Sequence, residues 1–250
     1  MTDQNNTIEV YWSPATYDPE QESWSFLYLE PLNVFSNLVK NNKHGGVYVS
    51  CPASKQMLKN TYSINSAIDD THILPKEIMA SLAYQEETEY LIPTNGKVPI
   101  RKERKSSYDG YINISYNLKW LFFASEPVEA RWTAPYFPAS SPVHDALFSA
   151  GQMNIGQWFR PLNLDWHIPI NSDKFEVYEN QPLAFLEIMT DKKVEFKRFQ
   201  MNKKIINISQ EFSQSPIRYG KFKTLKHKYS MASKSKTIDI LLKEIRKTLI

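Results

Sequence analysis

The second half of the chain constrains the fold most. From residue 111 to residue 199, short apolar or alternating segments follow one another closely: YINISY (111–116), KWLFFA (119–124) and VEARWT (128–133), then 153–158, 164–168, 175–178, 183–189 and 194–199. Period-two alternation sends successive side chains to opposite faces, and the Gly, Pro, Asn and Asp between segments supply turns. Pro135, Pro138 and Pro142 break regular pairing within APYFPASSP. No helical patterns alternate with these strands, which argues against a doubly wound α/β fold. The pattern predicts a mainly β fold, a sandwich or barrel, with a few short helices and a C-terminal helix. Aromatic residues make up 13% of the chain and include Trp12, Trp24, Trp120, Trp132, Trp158 and Trp166. Such residues favour strands and bury large areas, so they strengthen the β reading.

The first half is more mixed. Residues 8–12 (IEVYW), 24–29 (WSFLYL), 46–51 (GVYVSC) and 61–66 (TYSINS) read as strands. Pro31 opens a short helix in which Leu32, Phe35, Leu38 and Val39 share a face, and Pro52 opens another that ends near Asn60. Residues 75–84 (PKEIMASLAY) suggest one more helix, and the RKERK run within 97–107 suggests a solvated loop or hairpin tip.

The tail changes character. Residues 217–250 carry ten Lys and Arg against two acids, a surplus of eight, whereas the whole chain is only +3. The preceding body is therefore net acidic. Three regions are expected: a β-rich core over 1–203, a basic linker over 204–236, and a helix over 237–250 capped by Thr237. In that helix Ile238, Leu241, Leu242, Ile245 and Leu249 lie at helical spacing. A helix this short is not stable alone in water, so it docks on its own domain or on a partner.

Chemistry-bearing motifs are scarce. There is one cysteine, Cys51, so no intramolecular disulfide forms. Cys51 precedes Pro52 at a helix start, where backbone amides lower a thiol pKa, although a structural cysteine fits the same place. Gly-x-Ser-x-Gly, Gly-x-Gly-x-x-Gly and the P-loop are absent. The N-terminus has no signal-peptide pattern and no apolar run is long enough to span a bilayer, so the expected location is cytoplasmic.

The most distinctive segment is GQMNIGQWFRPLNLDWHIPI, residues 151–170, which gathers Trp158, Arg160, Asp165, Trp166 and His167. One reading is an aromatic-lined ligand pocket in which Arg160 grips an anion or stacks on a ring. The other is two core strands, with Arg160 pairing a carboxylate such as Asp165. An oxygenase-type Fe(II) site needs two imidazoles and a carboxylate with open positions. The available set is His144, Asp165 and His167, but His-x-Asp/Glu order is absent.

The blocks HGGVYVSCPA, KNTYSINS, FFASEPVEARWTAPYF, GQMNIGQWFRPLNLDWHI and ENQPLAFLEIM, in this order, resemble a family of unknown function from tailed phages of marine bacteria, including cyanophages, and more distantly bacterial proteins. The resemblance covers roughly residues 24–200. It implies a β-rich core and a phage or bacterial origin, hence the cytoplasm of an infected host or a virion, and it carries no catalytic residues. The run from Gly151 to "ENQPLAFLEI" is also similar to the cores of β-clip proteins and cupin-like barrels, an analogy of fold alone.

Three functions follow as expectations. The first is a phage-encoded, non-enzymatic binding or assembly module that captures a protein partner, or a second copy, through Leu241 and Ile245. The second is a cupin-like, Fe(II)-dependent oxygenase acting on a small molecule or peptide. The third is a single-stranded nucleic-acid binder using Arg218, Lys221, Lys223, Lys226 and Lys228, with Tyr219, Phe222 and Tyr229 interleaved.

Overall fold

The computed structural model describes residues 6–15, 25–41, 47–76, 79, 90–91, 96, 98–135, 145–213, 217–218, 221–222, 227, 229–230 and 236–250. Its spine is a fourteen-residue strand, β7 (Tyr111–Ala124). The even-numbered side chains Ile112, Ile114, Tyr116, Leu118, Trp120 and Phe122 enter the main core, whereas Leu121 and Phe123 enter a second one. One strand thus serves two cores, as period-two alternation allows. Along one edge of β7 runs β11 (Leu162–Pro169), antiparallel, with a register shift between Leu162 and Leu164. Two strands share the other edge. β6 (Ile100–Lys105) pairs with residues 112–116 of β7, and β1 (Thr7–Pro14) pairs with residues 120–124. β14 (Lys193–Arg198) lies parallel to β1, β9 (Leu147–Phe148) pairs with β11, and β5 (Tyr90–Leu91) pairs with β6.

A second sheet has the order β10 (Gly151–Asn154), β8 (Glu129–Thr133), β13 (Pro182–Ile188), β3 (Thr61–Asn65) and β2 (Leu32–Asn33). The two sheets face one another across the main core, where Phe122 meets Trp132 at 6.3 Å and Tyr62 meets Phe196 edge-on at 4.7 Å. This is a sandwich-like β architecture, filled by rings as the aromatic content implies. Outside the second sheet, Val34 of α1 (Val34–Asn41) and Leu58 of α3 (Pro52–Leu58) pack on Phe185 of β13. Asn33 begins α1 locally, its Oδ1 accepting the Ser36 amide at 2.9 Å. Outside the first sheet, α4 (Lys203–Ser213) and α5 (Thr237–Lys247) close the second core over Tyr11, Leu121, Phe123 and Phe199.

A polar cluster sits inside this apolar frame. A separate two-stranded ladder joins β4 (Asp70–Ile73) to β12 (Lys174–Val177). Asp70 and His72 are both fully enclosed, and His72 Nε2 lies 3.1 Å from Asp70 Oδ2. The same oxygen accepts the Tyr116 hydroxyl at 3.0 Å and the Val98 amide at 3.1 Å. Burial first, then the Asp70 charge, holds the Tyr116 phenol far above its ordinary range. Gly96 lies against the imidazole so closely that a Cβ there would stand 1.9 Å from His72 Cε1. This network anchors the β4–β12 pair to the spine.

Several local expectations are corrected. The strand expected over 46–51 is not formed by its described residues: Val47–Ser50 is a short helix, α2, packed beside α1 and α3 outside the sheet. Tertiary placement outweighs β-propensity there. The charged stretch 97–107, expected as a loop, contains β6; its buried Ile100 starts the strand and backbone pairing to β7 carries it. Of the strand expected over 24–29, the described residues 25–29 supply a 3-10 turn, Ser25–Leu27, and one bridge from Tyr28 to Ser66 instead. Residues 111–116 and 119–124 are one strand. The expected linker over 204–236 opens with α4, whose Ile205, Ser209 and Phe212 are buried. Asn202 Oδ1 caps α4 by accepting the Ile205 amide at 2.9 Å. Lys236, not Thr237, occupies the cap position of α5, without a side-chain hydrogen bond. The helix expected over 75–84 falls mostly outside the described residues, within which Met79 is buried. No helix among the described residues is long and apolar enough to cross a membrane.

Candidate functional site

The distinctive segment around β11 divides between two faces. Leu162, Leu164, Trp166 and Ile168 point into the main core, and Asn163, Asp165, His167 and Pro169 point outward. Trp166 is therefore a core residue, 2% exposed and edge-on to Phe148 at 4.8 Å, and its expected place in a ligand pocket is corrected. Asp165 accepts the Ser115 hydroxyl at 2.5 Å. His167 sits between two serines: Nδ1 is 2.9 Å from Ser106 Oγ, and Nε2 is 3.3 Å from Ser149 Oγ. Ser106 Oγ also accepts the Tyr108 amide at 3.0 Å, and Tyr108 stands edge-on to His167 at 5.0 Å. A neutral imidazole donates through one nitrogen and accepts through the other, so it can satisfy both hydroxyls at once. The arrangement ties the turn before β7 to the edge strand β9.

Beyond that cluster lies an open groove of about 1120 Å³. Three turns build it: Asp109–Tyr111 before β7, residues 145–147 leading into β9, and residues 169–174 between β11 and β12. Gly110 (φ 76°) and Asp145 (φ 61°) occupy the left-handed region that these sharp reversals need. Asp109, Asp145, Asp173 and Glu176 line it with Lys174, whose ammonium donates to Glu176 at 2.6 Å. That bond raises the Lys174 pKa. No sequence motif could signal this groove, because its residues come from separated turns. Trp158, Arg160, Asp165 and His167 are not among its walls.

Trp158 and Arg160 belong to a different place, the seam between sheet and tail. Residues 154–158 turn back on themselves, with the Trp158 amide donating to the Asn154 carbonyl at 2.7 Å. Phe159 drops into the second core against Phe123 at 5.3 Å. Trp158 and Arg160 flank it, and the Arg160 guanidinium lies 5.4 Å from the Trp158 ring centre. Tyr229 of the tail stacks on Trp158 at 5.2 Å and on Phe212 of α4 at 5.4 Å, within 21° of parallel to each. The Trp158 Nε1 donor is buried without a hydrogen-bond partner. Burial pushes the Tyr229 phenol up to about 12, against the opposing charge of nearby Arg160. The sequence flagged Trp158 and Arg160 but not Phe212 or the pairing with Tyr229.

The remaining expected residues sort as follows. Leu241 and Ile245 are fully buried in the second core, so their expected role as partner contacts is corrected: α5 docks on its own domain. Arg218 and Lys221 pair within a small ladder, β15 (Ile217–Arg218) with β16 (Lys221–Phe222). Lys223, Lys226, Lys228 and Tyr219 lie outside the described residues, as does His144. No three His, Cys, Asp or Glu side chains among the described residues are grouped to hold a metal ion. Cys51 is half-exposed at the start of α3, where the Ser54 amide, the Ser54 hydroxyl and the Ala53 amide lower its pKa.

No family model, no curated protein and no solved structure matches this chain.

Proposed function

We propose that the protein is a non-enzymatic binding module that takes single-stranded nucleic acid at the seam carrying Trp158, Arg160 and the basic segment 217–236. The observation that carries this reading is the stack of Trp158, Tyr229 and Phe212 beside the Arg160 guanidinium. Single-strand binders combine aromatic platforms for bases with cations for phosphates, and a tryptophan face with an arginine beside it offers both. Charge supports the same reading: residues 217–250 carry a surplus of eight positive charges and the preceding body is net acidic, so an anionic chain is drawn toward the tail. With Leu241 and Ile245 sealed inside the chain, capture of a protein partner by α5 has lost its main support. The resemblance to tailed-phage proteins makes an infected host cell the fitting setting.

Titration of a labelled single-stranded oligonucleotide with the full chain, followed by anisotropy, tests the reading. Saturable binding should weaken steeply as salt rises. Trp158→Ala should weaken it about tenfold, the loss of one base stack. Absence of saturable binding at low salt, or equal binding by Trp158→Ala, sinks the reading.

A further inference from the structure

We infer that the groove between the turns at 109–111, 145–147 and 169–174 binds a neutral oligosaccharide chain, at a site separate from the seam. Its volume of about 1120 Å³ exceeds the roughly 300–1,000 Å³ typical of sites for single small molecules. A chain of several rings suits so large and open a groove better than one enclosed compound.

The walls match the two surfaces of a sugar ring. A pyranose presents a face of C–H groups and a rim of hydroxyls, each both donor and acceptor. Tyr111 and Tyr178 line the groove with phenol rings, and Leu147 adds an aliphatic side chain. Tyr178 is 57% exposed and Leu147 42%, so large apolar surface stands open to a ligand at this end of the fold. Tyrosine also offers a rigid amphipathic face at small cost in conformational entropy. Asp109, Asn171 and Asp173 line the same groove. A carboxylate has two acceptor oxygens, so each aspartate can take two neighbouring hydroxyls, and an asparagine amide both donates and accepts.

Charge selects among polar chains. Four carboxylates, on Asp109, Asp145, Asp173 and Glu176, share the groove with the Lys174 ammonium, which Glu176 engages at 2.6 Å. Nucleic acids and polyuronates are therefore repelled. The rings and aliphatic groups in the walls favour a neutral chain over a polycation, whose ammonium groups are strongly hydrated.

The walls are fixed by the fold itself. The Ile170 amide donates to the Gly110 carbonyl at 2.9 Å and joins two of the turns. The Leu74 amide donates to the Asp173 carbonyl at 2.8 Å, and His167, between Ser106 and Ser149, ties the first turn to β9. Tyr178 follows β12, whose Phe175 packs on His72 and Tyr116 of the buried cluster at 6.0 and 5.7 Å. The Tyr178 amide donates to Gln181 Oε1 at 2.7 Å, and the Gln181 amide donates back to the Tyr178 carbonyl at 3.0 Å. Preorganised walls lose little entropy when a ligand docks.

An array of immobilised glucans, mannans, galactans and N-acetylglucosamine oligomers tests the site with the full chain, with oligolysine and a polyuronate as charged controls. Retention on a neutral chain is expected, competed by the same chain in solution and little changed by salt, because no ion pair forms. Tyr178→Ala should remove most of it, and Tyr178→Phe should keep it because the ring remains. Asp109→Ala and Asp173→Ala should each weaken it severalfold. All three side chains are exposed, so these variants should melt with the parent. Trp158→Ala should leave sugar retention unchanged, which separates this site from the seam. No retention on any neutral chain, or equal retention by Tyr178→Ala, overturns the inference. So does loss of retention in Trp158→Ala, which would move the sugar to the seam. Capture of a charged control alone, lost as salt rises, also overturns it; with oligolysine it would make the groove a docking surface for basic peptide.

Discussion

Arg246 Nε donates to the Tyr11 hydroxyl at 3.1 Å, joining the last helix to the first strand. The linkage is reinforced on both sides. Glu9 binds Lys197 and approaches Arg246 at 3.9 Å, and the chain end extends the sheet, with the Gln200 amide donating to the Thr248 carbonyl and the Ile250 amide to the Arg198 carbonyl. The C-terminal helix is thus part of the fold. Leu241→Ala should destabilise the protein by about 2–5 kcal/mol, the usual cost of truncating a fully buried leucine. Chemical denaturation of the parent and variant measures it; a change within 0.5 kcal/mol, roughly that of a surface substitution, would show that α5 is not docked.

The same corner makes stability pH-dependent. The Lys197 ammonium and then the Tyr11 hydroxyl, both donating to Glu9, hold its carboxyl below the ordinary value of 4.5. A carboxyl with a lowered folded pKa contributes stability that is fully present above 4.5 and lost as pH falls through the folded value. Melting temperature should drop on acidification below about pH 4.5, and Glu9→Gln should flatten that part of the profile while lowering stability at neutral pH. Identical acid limbs for the two proteins would remove Glu9 from the account.

What the sequence disclosed depended on range. The alternation of β11 and the short apolar run of β13 are local signals, so the strands were legible, as was the apolar stripe of α5, although Trp166 was assigned to the wrong face. Pairing partners were not, because the parallel match of β14 to β1 joins residues 7–12 to residues 193–198. α4 was hidden by its composition: KKIINISQEFS begins with two lysines beside a basic tail, and only docking on Phe199 and Phe159 reveals its buried face. β6 was hidden likewise, its run of charges masking a strand paired through backbone. At the seam, Trp158 and Arg160 drew attention as a local cluster, but Tyr229 reaches them from a distant segment. The groove carboxylates come from three turns and strand β12, and no spacing rule links them.

The buried polar cluster should be intolerant of change. Asp70 Oδ2 serves the Tyr116 hydroxyl, the Val98 amide and His72 at once. Asp70→Ala strands those groups inside an apolar core, and should cost about 3–5 kcal/mol, the range for breaking a buried charged network on one side. Denaturant midpoints measure the loss. A cost below about 1 kcal/mol, ordinary for a surface site, would mean that water reaches the cluster.

The thiol of Cys51 makes the last prediction. It is partly exposed and holds the cap position of α3, ahead of Pro52. The Ser54 amide, the Ser54 hydroxyl and the Ala53 amide all favour the thiolate, in that order, and lower its pKa from 9.0. Alkylation rates measured against pH on the native chain should therefore show a midpoint below 9.0. Ser54→Ala removes the hydroxyl but keeps the amides, so it should move the midpoint only part of the way back. Pro52→Ala, which leaves those donors in place, should move it little. A midpoint at or above 9.0 in the parent, or full recovery in Ser54→Ala, would contradict the backbone as the main source of the shift.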